Sequence, residues 1–122
     1  MTKYLVFLLT ISARLAFAQG AVAGTWRAEF DTQVGAQKYV FVLQQESSTL
    51  VATAKAELQG QARDVVFKDV QVKGDTVTFT ESFEFQGNAV PISYTGVLAG
   101  NEIRFARKVG DFATENFVAK RE

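Results

Sequence analysis

The chain has no cysteine and no histidine, and it has one proline in 122 residues. Without cysteine there is no disulfide, so a small fold must be held by packing alone. Without either residue, the common zinc sites, Cys–His nucleophiles and Ser–His–acid triads cannot be assembled. One proline, beside eleven phenylalanines, fits a well-filled β core better than a linker or a disordered tail. Charge of one sign is also lacking: 13 basic residues face 13 acidic ones. No basic patch is present to attract nucleic acid or an anionic membrane. No glycine-rich phosphate loop lies between a strand and a helix, and no acidic run has calcium-loop spacing. Ser82 and Ser93 lie in strand patterns, without the context of a nucleophile elbow. Glu81 and Glu84, the carboxylates closest to a catalytic pair, fall on opposite faces of one strand. These absences point to a protein that is not an enzyme and needs no cofactor or metal.

What is present begins with an export signal. Lys3 gives a positive n-region, Leu5 to Ile11 a short apolar h-region, and Ala16-Phe17-Ala18 a small-x-small cleavage pattern. Residues 1–18 are therefore expected to be a secretory signal peptide and residues 19–122 the mature domain, periplasmic or secreted. The apolar run is short for a membrane span and Arg14 interrupts it, so no membrane insertion is expected after cleavage. Without Lys3 and Arg14 the mature chain carries 11 basic and 13 acidic residues, a net charge of −2. About 104 residues suffice for one hydrophobic core.

The mature chain reads as all-β. Period-two alternation recurs along it, broken by Gly, Asn, Asp and Ser. Strands are expected over 24–31, 37–45, 50–58, 63–68, 70–73, 75–85, 89–98, 102–109 and 112–120. Turns are expected at Gly35, Glu46-Ser47-Ser48, Gly60, Gly74-Asp75, Gly87-Asn88, Gly100-Asn101 and Gly110-Asp111. Many short strands must dispose of their edges, and closure is the usual solution. The expected architecture is a small antiparallel up-and-down barrel of about eight strands, with a two-sheet β-sandwich as the alternative.

Trp26, Ala28 and Phe30, then Tyr39, Phe41 and Leu43, form apolar rows. Val77, Phe79 and Phe83, then Val90, Ile92 and Tyr94, then Ile103 and Phe105 continue them. Glu81 and Arg107 fall on these same apolar faces. A lone buried charge is costly, so each needs a partner or a wet cavity. Two readings follow: a mutual Glu81–Arg107 salt bridge, or a polar grip that orients a small ligand among aromatics in a barrel mouth. The candidate ligand-binding residues are Glu81, Arg107, Tyr39, Tyr94 and Trp26.

Gly24-Thr25-Trp26, opening the first strand of a small exported β domain, resembles the Gly-x-Trp start of the calycins, the lipocalin and avidin-like barrels. That resemblance implies an arginine packed over the Trp, a part open to Arg107 or Arg121. Residues 24–121 are also similar to a group of exported bacterial domains. The likeness rests on 24–33, Gln37-Lys38-Tyr39, Val70 to Phe79, Tyr94-Thr95-Gly96, 100–105 and 107–115. Similar domains stand beside secreted glycoside hydrolases and carbohydrate esterases, which implies carbohydrate-related work. Three functions stay open: a barrel that binds a small apolar or amphipathic ligand, a carbohydrate-binding or accessory module, and an envelope protein-binding or inhibitor domain. The second needs Tyr39, Tyr94 or Trp26 on the surface.

Overall fold

A computed structural model describes residues 21–122; the signal expected over 1–18 lies outside the described residues. Nine antiparallel strands follow one another in chain order: β1 Gly24–Thr32, β2 Gly35–Glu46, β3 Thr49–Leu58, β4 Gln61–Val66, β5 Lys68–Lys73, β6 Thr76–Phe85, β7 Asn88–Ala99, β8 Glu102–Val109 and β9 Ala113–Arg121. They match the alternation in the sequence, with ends shifted by a residue or two. Ser47, Gln59 and Gln86 take positive φ in the connections, and Gly60, Gly74, Gly87 and Gly100 do so at low steric cost.

The strands form one nearly closed barrel in the order β4-β3-β2-β1-β9-β8-β7-β6-β5. The up-and-down barrel is therefore the architecture, and the sandwich is set aside. β1 and β9, the chain's first and last strands, pair at Trp26↔Arg121 and Arg27↔Lys120. The two ends of the sheet, β4 and β5, are consecutive in sequence and meet at Phe67, whose amide donates to the Ala52 carbonyl at 3.0 Å. One kinked stave thus gives its first half to β3 and its second half to β6, so nine strands serve as eight staves. The kink is a bulge between Lys68 and Gln71, with Asp69 at a φ of 55°.

The division of the stave leaves a seam. β5 reaches β6 only as far as Thr80, so Glu81 to Phe85 pair with β7 alone.

Side chains alternate in and out on each strand, because the strand period is two. Phe41, Phe67, Phe79, Phe105, Phe117 and Tyr94 fill the middle of the barrel. Their rings lie 4.4 to 6.3 Å apart, in stacked, tilted and edge-on pairs. Gly96 faces inward because Phe105 needs the space: a Cβ there would lie 2.5 Å from the ring. The outer face carries Arg27, Glu29, Lys38, Lys55, Glu57, Arg104 and Lys120, unlike the apolar belt of a spanning barrel. Among the described residues no helix is long and apolar enough to cross a membrane.

The two ends of the barrel differ. One is plugged by Val22 and Trp26, with the Trp26 indole N–H donating to the Val22 carbonyl at 3.0 Å. Arg121 lies over the Trp26 ring at 4.2 Å and donates to the Ala21 and Ala23 carbonyls. Gly24 permits this approach, since a Cβ there would meet an Arg121 nitrogen at 2.8 Å. The arginine over the Trp is therefore Arg121, and Arg107 lies elsewhere. At the opposite end the β1–β2, β3–β4, β6–β7 and β8–β9 connections surround an open cavity.

Candidate functional site

The cavity holds about 290 Å³. Its walls are Leu58, Phe83, Val90, Ile92 and Val109, and its mouth is set by Thr32 to Val34 and by Phe112 and Ala113. Val34 and Phe112 are 48 % and 73 % exposed, large apolar side chains held in solvent at the entrance. Arg63, Arg107, Glu115 and Gln37 add polar groups to the lining, beside Thr32 and Gln33 at the mouth.

Glu81 and Arg107 both point inward, at 4 % and 3 % exposure. They do not form the mutual salt bridge expected as one reading. Glu81 pairs with Arg63, whose Nη2 donates at 2.9 Å, and Arg107 pairs with Glu115. The geometry explains the exchange. Glu81 lies on the seam edge of β6, which no strand covers on that side, and Arg63 of β4 reaches across the gap to it. Arg107 and Glu115 are direct cross-strand partners in the β8–β9 register, the position where opposite charges meet most closely.

Tyrosine hydroxyls join the two pairs. Tyr94 donates to Glu81 Oε1 at 2.6 Å and accepts from Arg107 Nε at 2.9 Å. Tyr39 donates to Glu81 at 3.1 Å, accepts from Arg63 Nη2 at 2.9 Å, and lies 3.4 Å from Arg107 Nη2. Arg107 also sits 5.4 to 5.7 Å from the ring centres of Phe30, Tyr39 and Tyr94. Among the described residues no buried side-chain polar atom lacks a hydrogen-bond partner. Two positive and two negative groups are thus interleaved beneath the cavity, the arrangement a buried charge cluster requires.

The environment fixes the protonation of the hydroxyls. Burial, then the Glu81 charge, push Tyr39 above its ordinary range, against the pull of Arg107 and Arg63. Burial pushes Tyr94 up further, helped by Tyr39 and Glu81. Burial opposes the charge on Arg107, but the oxygens of Tyr94, Tyr39 and Glu115 outweigh it and hold the guanidinium above its ordinary range. Both shifts favour the neutral hydroxyl, the form that donates to Glu81.

Of the residues singled out in the sequence, Glu81, Arg107, Tyr39 and Tyr94 converge here, and of these only Arg107 lines the cavity. Trp26 belongs to the plugged end. Sequence reading missed Arg63, Glu115 and Gln37. The parity was there to find them: Arg63 shares its face with Val65 and Phe67, and Glu115 with Phe117 and Ala119. Gln37 shares its face with Tyr39 and Phe41 and is buried, its amide 3.5 Å from the Thr32 hydroxyl.

Comparison with family models, curated proteins and solved structures finds no match for this chain.

Proposed function

We propose that this is an exported, non-enzymatic barrel that binds a small amphipathic molecule at the end opposite Trp26. The apolar part would rest against Phe83, Val90, Ile92 and Val109, and the polar end against Arg63, Arg107 and Glu115. The observation that carries this reading is an apolar cavity with a charged floor already held in place by its own partners. Most binding sites combine an apolar wall with a few fixed polar groups, and this volume lies near the lower end of the usual range of about 300–1,000 Å³. A molecule of one or two rings, or a short chain, is the size that fits. The exposed Phe112 and Val34 would extend its apolar contact at the mouth. Both oxygens of Glu81 are occupied by Tyr39, Tyr94 and Arg63, which leaves it poorly placed to serve as a general acid or base.

The carbohydrate reading asks for exposed aromatics, and Tyr39, Tyr94 and Trp26 are all buried. The protein-binding reading has one observation in its favour, the edge of β6 at Glu81–Phe85, which pairs with β7 alone. A partner strand added there would protect β6 amides from exchange on complex formation.

The test is fluorescence titration of residues 19–122 with aminoanthracene, a small apolar probe with one polar group. We expect saturable binding of one probe per protein, abolished by Val109→Phe, which fills the cavity, with circular dichroism unchanged. Absence of saturable binding, or binding that Val109→Phe leaves intact, would contradict the proposal.

A further inference from the structure

We infer that the ligand's polar end is an anion, in the simplest case a carboxylate, and that Arg63 is the residue that selects it. The inference rests on the cavity being a binding site and follows from which polar atoms its floor leaves unspent.

Arg107 is consumed. Its Nε donates to Tyr94, its Nη1 to Glu115 and its Nη2 to Tyr39. Glu81 is consumed as well, with Oε1 taken by both tyrosines and Oε2 by Arg63 and Tyr39. Each tyrosine hydroxyl gives its one proton to Glu81 and receives from an arginine.

Arg63 is different. Only its Nη2 is engaged, by Tyr39 and Glu81; its Nε and Nη1 donate to no described residue. Its side chain is 34 % exposed and lines the cavity, while Glu81 beneath it is almost wholly covered. The guanidinium lies 5.2 Å from the Phe83 ring centre and 5.8 Å from that of Tyr39. Ring contacts and the Nη2 bonds fix its plane, so the remaining Nε–H and Nη1–H groups are charged donors held in fixed directions, on separate edges of the guanidinium.

Charge accounting favours the same sign. Among the ionisable groups that line the cavity, Arg63 and Arg107 outnumber Glu115, and Glu81 sits behind Arg63 and the tyrosines. Glu115 already accepts from Arg107, so a cationic ligand seeking its second oxygen would have to approach two guanidinium groups. A carboxylate instead meets the unspent Nε–H and Nη1–H donors of Arg63, with an apolar body free to lie against Phe83, Val90 and Val109.

A matched ligand series on the wild-type domain tests this: phenylbutanoate, phenylbutanamide and phenylbutylamine by titration calorimetry at neutral pH. We expect the acid to bind about tenfold or more tighter than the amide, as hydrogen bonds to a charged group imply, and the amine to bind most weakly. Arg63→Lys, which keeps a charge for Glu81 but removes the free guanidinium donors, should lower affinity for the acid more than for the amide and so shrink the preference. Acid and amide binding equally would overturn the anion preference while leaving the cavity a binding site. Failure of the whole series to bind would overturn both. Undiminished preference in Arg63→Lys would remove Arg63 from the role.

Discussion

The Tyr94 hydroxyl stands between Glu81 and Arg107, donating to the carboxylate at 2.6 Å and accepting from the guanidinium Nε at 2.9 Å. Two charges that share the barrel interior are therefore coupled through a neutral phenol, and each has its own counterion on a neighbouring stave. This makes the floor of the cavity a chain from Arg63 to Glu115, with its electrostatics balanced before any ligand arrives.

Double-mutant cycles should resolve that chain. Removing Glu81 or Arg107 alone leaves buried partners uncompensated and is expected to cost about 3–5 kcal/mol in urea unfolding. The Glu81–Arg63 coupling should exceed the Glu81–Arg107 coupling, within the range of about 0.5–3 kcal/mol for contacting groups. Tyr94→Phe should sharply reduce what coupling Glu81 and Arg107 have. A Glu81–Arg107 coupling that survives Tyr94→Phe undiminished would mean that it runs through Tyr39 or directly, and not through Tyr94.

The tyrosines give a pH signature. Tyr39 and Tyr94 are both raised above 10.0 in the folded state, and they are the only tyrosines in residues 19–122. A raised group favours the protonated form in the fold. Its contribution is complete below the unfolded value and is lost as pH rises, because the unfolded hydroxyls ionise first. Ultraviolet titration should show no tyrosinate in the folded domain as pH passes 10.0, and stability should fall from that point upward. Ordinary titration of either tyrosine while the domain stays folded would contradict the network.

Much of the fold was legible because burial alternates strictly. Nine strands, and the inward rows through Trp26, Tyr39, Phe79 and Ile103, follow from period-two patterning with glycine turns. Which charges pair was not legible, since parity places Glu81 and Arg107 on the inner face but says nothing of register between distant strands. Glu81 is 26 residues before Arg107 and meets Arg63, 18 residues before it, only because the β4–β5 stave splits at Phe67. The cavity was hidden for a similar reason. An apolar row reads the same whether its far side is filled, as at Phe41, or open, as at Val109.

At the plugged end, Trp26→Ala should destabilise the domain by about 3–5 kcal/mol, the cost of truncating a large buried aromatic. The ring is fully buried, and Val22 and Arg121 are positioned by it. Because this end lies away from the cavity, probe affinity in the folded variant should be unchanged. A melting temperature within a few degrees of wild type would contradict that packing.

Gly96→Ala tests the barrel's middle. The added Cβ would lie 2.5 Å from the Phe105 ring and 2.6 Å from Ile103, both core side chains. Overpacking of this kind costs about 1–3 kcal/mol. A neutral result by thermal melting would show that Phe105 can move aside.

The most direct measurement of the central claim is a heteronuclear NMR map of the 19–122 domain titrated with phenylbutanoate. The expected result is a saturable set of shifts at Val34, Arg63, Phe83, Val90, Val109 and Phe112, together with the Arg63 side-chain Nε–H, and none around Val22, Trp26 and Arg121. Shifts that fail to saturate, scatter over the outer face, or gather at the Trp26 end would contradict a binding site in the open end of the barrel.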